Sequence, residues 1–152
     1  MAAGAALRPS LAVEADAAWF AEPGIMNVMT NRRGVLGVRW EQFTPRGPEV
    51  AWAEVHAGGL YRRRGQLWAL SAKGQLYGGG GHDGDLQVVP LPERGCHVQS
   101  VSAAPGTLWL LTTNGRLFVR EGVEQSARGT AWVQLDLMQI DGCRLTQLSV
   151  GA

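Results

Sequence analysis

Lysine is nearly missing from this 152-residue chain: Lys73 is the single one, and the remaining basic charge is arginine. The formal net charge is only +1. No basic excess is present of the kind that holds nucleic acid, and no acidic excess either. Cysteine is scarce as well. Cys96 and Cys143 are too few for a disulfide framework, and they read as reduced thiols of a cytosolic protein. No apolar run reaches the ~18 residues a membrane helix requires. The opening stretch "MAAGAALRPSLAVEADAAWFAEP" is alanine-rich but has no basic start followed by a long apolar block. It does not read as a secretory signal.

Reactive constellations are equally thin. "GGGGHDGD" (Gly78 to Asp85) has the glycines of a phosphate loop but not the G-K-[ST] that carries the phosphate and magnesium contacts. It reads as a hairpin connection. Asp83 and Asp85 are two carboxylates, where calcium takes about six to eight oxygens. His56, His82 and His97 are scattered and make no C-x₂-C or H-x₃-H spacing with the cysteines. Cys96 and His97 are adjacent, so on a strand they point to opposite faces. No G-x-S-x-G elbow occurs. On these spacings no catalytic, cofactor or metal site is expected. The basic run Arg62, Arg63, Arg64 reads as a solvated loop, with an anionic lipid or acidic partner as the sharper alternative.

Glycine and tryptophan are what the chain has in plenty, 21 and six. That pairing suits short strands, tight turns and large packing anchors. The chain also repeats itself. Gly34, Gly74 and Gly115 sit in matching turns, "NRRG", "SAKG" and "TTNG", spaced 40 and 41 residues. Two residues after each comes Leu36, Leu76 or Leu117, and six before come Val28, Trp68 and Trp109. Trp52 and Trp132 lie 80 apart, which places them two periods apart on equivalent strands, "AWAEV" and "AWVQL". "CHVQSVSA" (Cys96 to Ala103) matches "CRLTQLSV" (Cys143 to Val150), as the start of another copy.

Each copy reads as about four short strands, the size and content of a propeller blade. In "LWLL" and "LWAL" both faces of the strand are apolar, which predicts cover on both sides. The tryptophans are expected to pack between blades. Asn114-Gly115 predicts a two-residue type I′ hairpin turn. The fold class expected is all-β: a partial β-propeller of roughly three to four blades, incomplete at both ends and part of a longer protein. The expected division is an unassigned segment 1–24, a partial blade 25–55, a degenerate blade 56–95, a complete blade 96–142 and the start of a further blade 143–152. The structural framework is Gly34, Leu36, Trp52, Trp68, Gly74, Leu76, Trp109, Gly115, Leu117 and Trp132.

"TNGRLFVREGVEQSARGTAWVQLDL" resembles a tectonin repeat. The matching features are Leu108, Trp109, Gly115, Leu117, Arg120, Gly129, Trp132 and Leu135. The middle copy departs from the pattern, lacking the Arg and Trp of a full repeat. The resemblance implies a cytoplasmic, non-enzymatic scaffold that binds trafficking, tethering and autophagy proteins. It also implies recruitment to endoplasmic reticulum exit sites or autophagic membranes through those partners, with no nucleic acid bound. Candidate partner loops are Trp40 to Glu49, Gly78 to Asp85 and Glu121 to Gly129. Two alternatives remain open: a tectonin-type lectin for carbohydrate or lipopolysaccharide, and a propeller of the chromatin condensation regulator type acting on a small GTPase, of which "YGGGGHDGDL" carries a faint echo.

Overall fold

A computed structural model describes residues 10–13, 17–22, 25–32, 35–36, 41–43, 49–61, 64–80, 85–137 and 144–151. The expected turn glycine Gly34 lies outside them, as do Cys143, His82 and Asp83. The described elements are all strands: β1 (Ser10–Val13), β2 (Ala17–Glu22), β3 (Ile25–Arg32), β4 (Val35–Leu36), β5 (Glu41–Phe43), β6 (Trp52–Tyr61), β7 (Arg64–Ser71), β8 (Leu76–Gly80), β9 (Asp85–Val89), β10 (Val98–Ala104), β11 (Thr107–Thr112), β12 (Leu117–Glu121) and β13 (Ala131–Leu135).

They form three antiparallel sheets in chain order. The first holds β1-β2-β3-β4 with β5 also paired to β3, the second β6-β7-β8-β9 and the third β10-β11-β12-β13. Leu36 falls on β4, opposite Asn31 of β3, and β4 is the fourth strand in its sheet. Leu76 and Leu117 instead open the third strands β8 and β12. The expected equivalence of Leu36 with Leu76 and Leu117 does not hold, because strand order is set by pairing and not by the spacing of the leucines. Successive sheets meet through their first strands, β1 against β6 and β6 against β10.

Period-two alternation sorts the side chains of each central strand onto two faces. On β7, Leu67 and Ala69 join a core with Met26 and Ala21 of the first sheet and with Trp52, Val55, Tyr77 and Leu86 of the second. Trp52 meets Tyr77 edge-on, with ring centroids 5.1 Å apart. The opposite face carries Trp68, which joins Leu76 and Val89 in a second core with Val101, Leu108, Leu110 and Phe118 of the third sheet. Trp68 has no exposed surface at all. Its ring lies where side chains at Gly58 and Gly78 would stand: a Cβ would come within 2.7 and 2.5 Å of it. Two glycines on the flanking strands make room for one tryptophan.

The hairpin turns correct one expectation. Gly115 N–H donates to the Thr112 carbonyl, and Thr112 N–H to the Arg116 carbonyl. The turn therefore centres on Thr113 and Asn114, with Gly115 after it at φ 84°. That is the three-residue loop in which a type I turn is followed by one left-handed residue, not a type I′ turn on Asn114-Gly115. Ser71 to Gln75 makes the same two bonds, with Gly74 at φ 80°. Only one residue needs positive φ, so Lys73-Gly74 serves as well as Asn114-Gly115.

The tryptophan spacing needs a second correction. Trp52 opens β6, an inner first strand, and pairs with Ser71. Trp132 sits on β13, a last strand, opposite Arg120. Alignment through the hairpins makes Val98, which pairs with Thr112, the counterpart of Trp52. Leu86, which pairs with Gly79, is the counterpart of Trp132. The 80-residue interval joins unlike strands: Trp52 and Val55 are buried in the core, while Trp132 and Leu135 are half-buried.

Candidate functional site

The inner first strands share a local device. β6 shifts register between Trp52 and Glu54, and β10 shifts between Val98 and Ser100. Such a bulge inserts one residue and changes which side chains share a face. Val55 and Val101 are thereby buried in the two cores. Glu54 and His56 on β6, and Ser100 and Ser102 on β10, occupy matching register positions opposite Leu70, Trp68, Leu111 and Trp109.

Ser100 Oγ accepts from Leu148 N–H at 3.1 Å, and Ser102 Oγ from Val150 N–H at 3.0 Å. The segment 144–151 thus lies along β10. The first sheet reaches the second in the same manner: Ser10 Oγ accepts from Val55 N–H and donates to the Val55 carbonyl, both at 3.2 Å. Between the second and third sheets this device is replaced. Nε2 of His56 lies 3.1 Å from Glu54 Oε2, and since a carboxylate only accepts, the imidazole donates. A recess of about 440 Å³ opens beside them, lined by Glu54, His56, Gln99, Ser100, Ser102 and Thr146 among others.

Other contacts lock the second sheet to the third. Gln66, 3 % exposed, donates from Nε2 to the carbonyls of Val123 and Ala127, at 3.2 and 3.1 Å. Trp132 Nε1 donates to the Pro90 carbonyl at 2.7 Å. Arg116 pairs with Glu93. Arg120 stacks over the Trp132 ring at 5.1 Å and donates from Nε to the Arg128 carbonyl at 3.0 Å. Burial, and next the charge of Arg128, lowers the pKa of Arg120 from its ordinary value. It stays a cation, and the ring face and the carbonyl compensate its lost hydration. The second sheet has Gly79 and Leu86 at the positions of this Arg–Trp pair. The middle copy has lost both partners together.

A shallower groove of about 520 Å³ lies between the Lys73-Gly74 turn and the connection 90–97, with Val88, Leu91, Arg94 and His97 in its walls. Cys96, a free thiol, also borders it.

The described framework residues named from sequence fall into five places, with Leu36 on β4. Trp52, Trp68 and Leu76 lie in the two cores, with Trp132 packed against the second. Leu117 is buried on β12 beside Leu111. Trp109 is half-buried and donates from Nε1 to Thr107 Oγ1 at 2.9 Å. Gly74 and Gly115 are the turn residues. None of them lines the inner recess. Of the three candidate loops, Glu121 to Gly129 is tied down: Gln66 reaches into it, and it is braced internally by Ser126 N–H to the Gly122 carbonyl and by Gly129 N–H to the Ser126 carbonyl. Residues 81–84 of the second, and Trp40 and 44–48 of the first, lie outside the described residues.

No protein-family model matches the chain. Among solved structures, human WBSCR16 superposes with a TM-score of 0.61 at 13% identity, over 84% of this chain and 39% of that one. YCF48 bound to D1 peptide superposes at 0.54 with 16% identity, over 82% and 38%. Both are propellers. The three sheets are blades of a partial β-propeller. Its curated homologue is tectonin beta-propeller repeat-containing protein 2 of Homo sapiens, 28% identical over 122 residues, which cover 77% of this chain and 9% of the relative. The chain therefore spans under a tenth of the length of the curated relative it matches. As a propeller segment it supports a protein-interaction role. Among the described residues no helix is long and apolar enough to cross a membrane.

Proposed function

We propose that this propeller segment belongs to a non-enzymatic scaffold that binds trafficking, tethering and autophagy proteins in the cytoplasm, at endoplasmic reticulum exit sites or autophagic membranes. One observation carries the reading: the 28% identity to tectonin beta-propeller repeat-containing protein 2 runs over 122 residues, a length that includes more than one blade. The geometry supports the interaction half of the reading. On the inner strands, Glu54, His56, Ser100 and Ser102 face a common recess. The sheets around them are held by inter-blade hydrogen bonds, which gives a partner a preformed surface.

The test is proximity labelling from the intact protein in cells, compared with a tag-only control. The expected result is enrichment of coat, tether and autophagy components. Enrichment indistinguishable from the control would end the trafficking reading. The solved-structure likenesses carry the fold alone, and they favour neither the carbohydrate nor the GTPase alternative.

A further inference from the structure

The seam between the second and third blades is built differently from its neighbours. On either side of it, serine hydroxyls stitch one inner strand to the backbone of the next: Ser10 to Val55, and Ser100 and Ser102 to Leu148 and Val150. At the seam itself, Glu54 and His56 stand in those serine positions and bond to each other. A packing role would be served as well by serine. A recess of about 440 Å³ opens there, reaching from Glu54 and His56 to the stitched Ser100, Ser102 and Leu148.

The chemistry left over in that recess is acceptor-rich. Glu54 Oε2 takes the His56 proton, and Oε1 has no partner among the described residues. The Glu54 side chain is 42% exposed, so water or a ligand reaches it. Ser100 and Ser102 each accept one backbone N–H and keep a second lone pair. Gln99 donates from Nε2 to the Thr146 carbonyl at 3.4 Å, which leaves its own carbonyl oxygen as an acceptor. Among the described residues, Glu54 is the one carboxylate lining the recess, and no arginine or lysine lines it.

We propose that this recess receives the guanidinium of an arginine carried by a partner polypeptide. A guanidinium presents five donors in a planar fork and no acceptor, which matches one carboxylate surrounded by neutral acceptors. An ammonium offers three donors from a point and leaves part of the ring of acceptors unmet. The inference rests on the protein-interaction reading and supplies the chemical class of the partner's anchor.

The experiment uses the intact purified protein. A phage-displayed random heptapeptide library is panned on it, and the selected peptides are synthesised with a fluorescein label. Their affinities are measured by fluorescence anisotropy for the wild type, for Glu54→Gln and for His56→Gln. The expected result is a subset of binders with arginine at one fixed position. Those peptides bind Glu54→Gln at least tenfold more weakly, and they lose affinity to the same degree when that arginine is replaced by citrulline. Glu54→Gln keeps the side-chain shape, and an unchanged thermal midpoint verifies its fold; His56→Gln, which frees Glu54 Oε2, retains arginine-peptide binding. Three outcomes would overturn the proposal: no Glu54-dependent binder, binders without arginine, or lysine peptides bound equally well. The selection needs no cellular partner, so a negative proximity-labelling result leaves its outcome readable.

Discussion

Gln66 of the second blade donates to the Val123 carbonyl of the third across the seam between them, at 3.2 Å. The same amide reaches Ala127 at 3.1 Å. One side chain thus fixes both the neighbour and its longest described loop. Gln66→Leu removes both bonds and leaves two carbonyls without their partner. A net loss of about 1–3 kcal/mol is expected, measured by urea unfolding of the intact protein. Raised proteolytic cleavage confined to Glu121 to Gly129 is the accompanying signature. An unchanged midpoint with an uncut loop would show that the bonds are dispensable.

Trp68 and its two glycines form a single fitted unit. Gly78→Ala places a Cβ 2.5 Å from the indole, and overpacking of this kind costs about 1–3 kcal/mol. Trp68→Leu costs more alone, because it empties much of the inter-blade core; large-to-small changes at such sites run to about 3–5 kcal/mol. The double variant Trp68→Leu with Gly78→Ala is expected to be less destabilised than the sum. Thermal unfolding of the four proteins gives the coupling, and strict additivity would count against a shared site.

The hairpin turns make a sharper distinction between strain and space. At Gly74 and Gly115 nothing lies within 4 Å of an added Cβ, yet both have positive φ. Gly115→Asn is therefore expected to cost a few tenths of a kcal/mol and Gly115→Val well over ~1 kcal/mol. Equal losses from the two would mean that crowding and not backbone conformation governs the turn. At Gly129, by contrast, a Cβ would meet the Glu121 carbonyl and the Arg120 side chain at 2.7 Å, so both replacements should be costly there.

These sites show why parts of the fold were legible in the sequence and others were not. The Gly74 and Gly115 turns and the doubly apolar "LWAL" and "LWLL" strands are local patterns, and local patterns survive in a one-dimensional reading. Which strand is first in a blade is not local. "AWAEV" and "AWVQL" read as equivalent strands because they share the Trp-x-x-Val/Leu spacing, while the place of Trp52 on β6 is decided by pairing with β7. That misplacement hid the inner recess. Once "WAEVHA" is aligned to "VQSVSA" through the shared bulge, Glu54 meets Ser100 and His56 meets Ser102. A bulge in each strand is the signal that no periodicity carries.

Arg120 and Trp132 form the pair that the middle copy has exchanged for Gly79 and Leu86. Trp132→Phe keeps an aromatic face under the guanidinium but loses the donor to Pro90. The expected loss is about 0.5–1.5 kcal/mol. Trp132→Leu also removes the cation–π contact and leaves a buried cation over an aliphatic surface, for roughly 0.5–2 kcal/mol more. Chemical denaturation at low and high salt checks the ordering. Equal stability of the two variants would remove the cation–π contact from the account.

The central claim is that the inner strands β1, β6 and β10 face a propeller axis around which further blades are arranged. A cryo-electron microscopy structure of the intact protein tests it most directly. The account predicts a closed ring in which these strands line the channel and the segment 144–151 is the inner strand of the next blade, seated on Ser100 and Ser102. A structure in which β9 and β13 lie at the axis, or in which the sheets stack without closing, would contradict it.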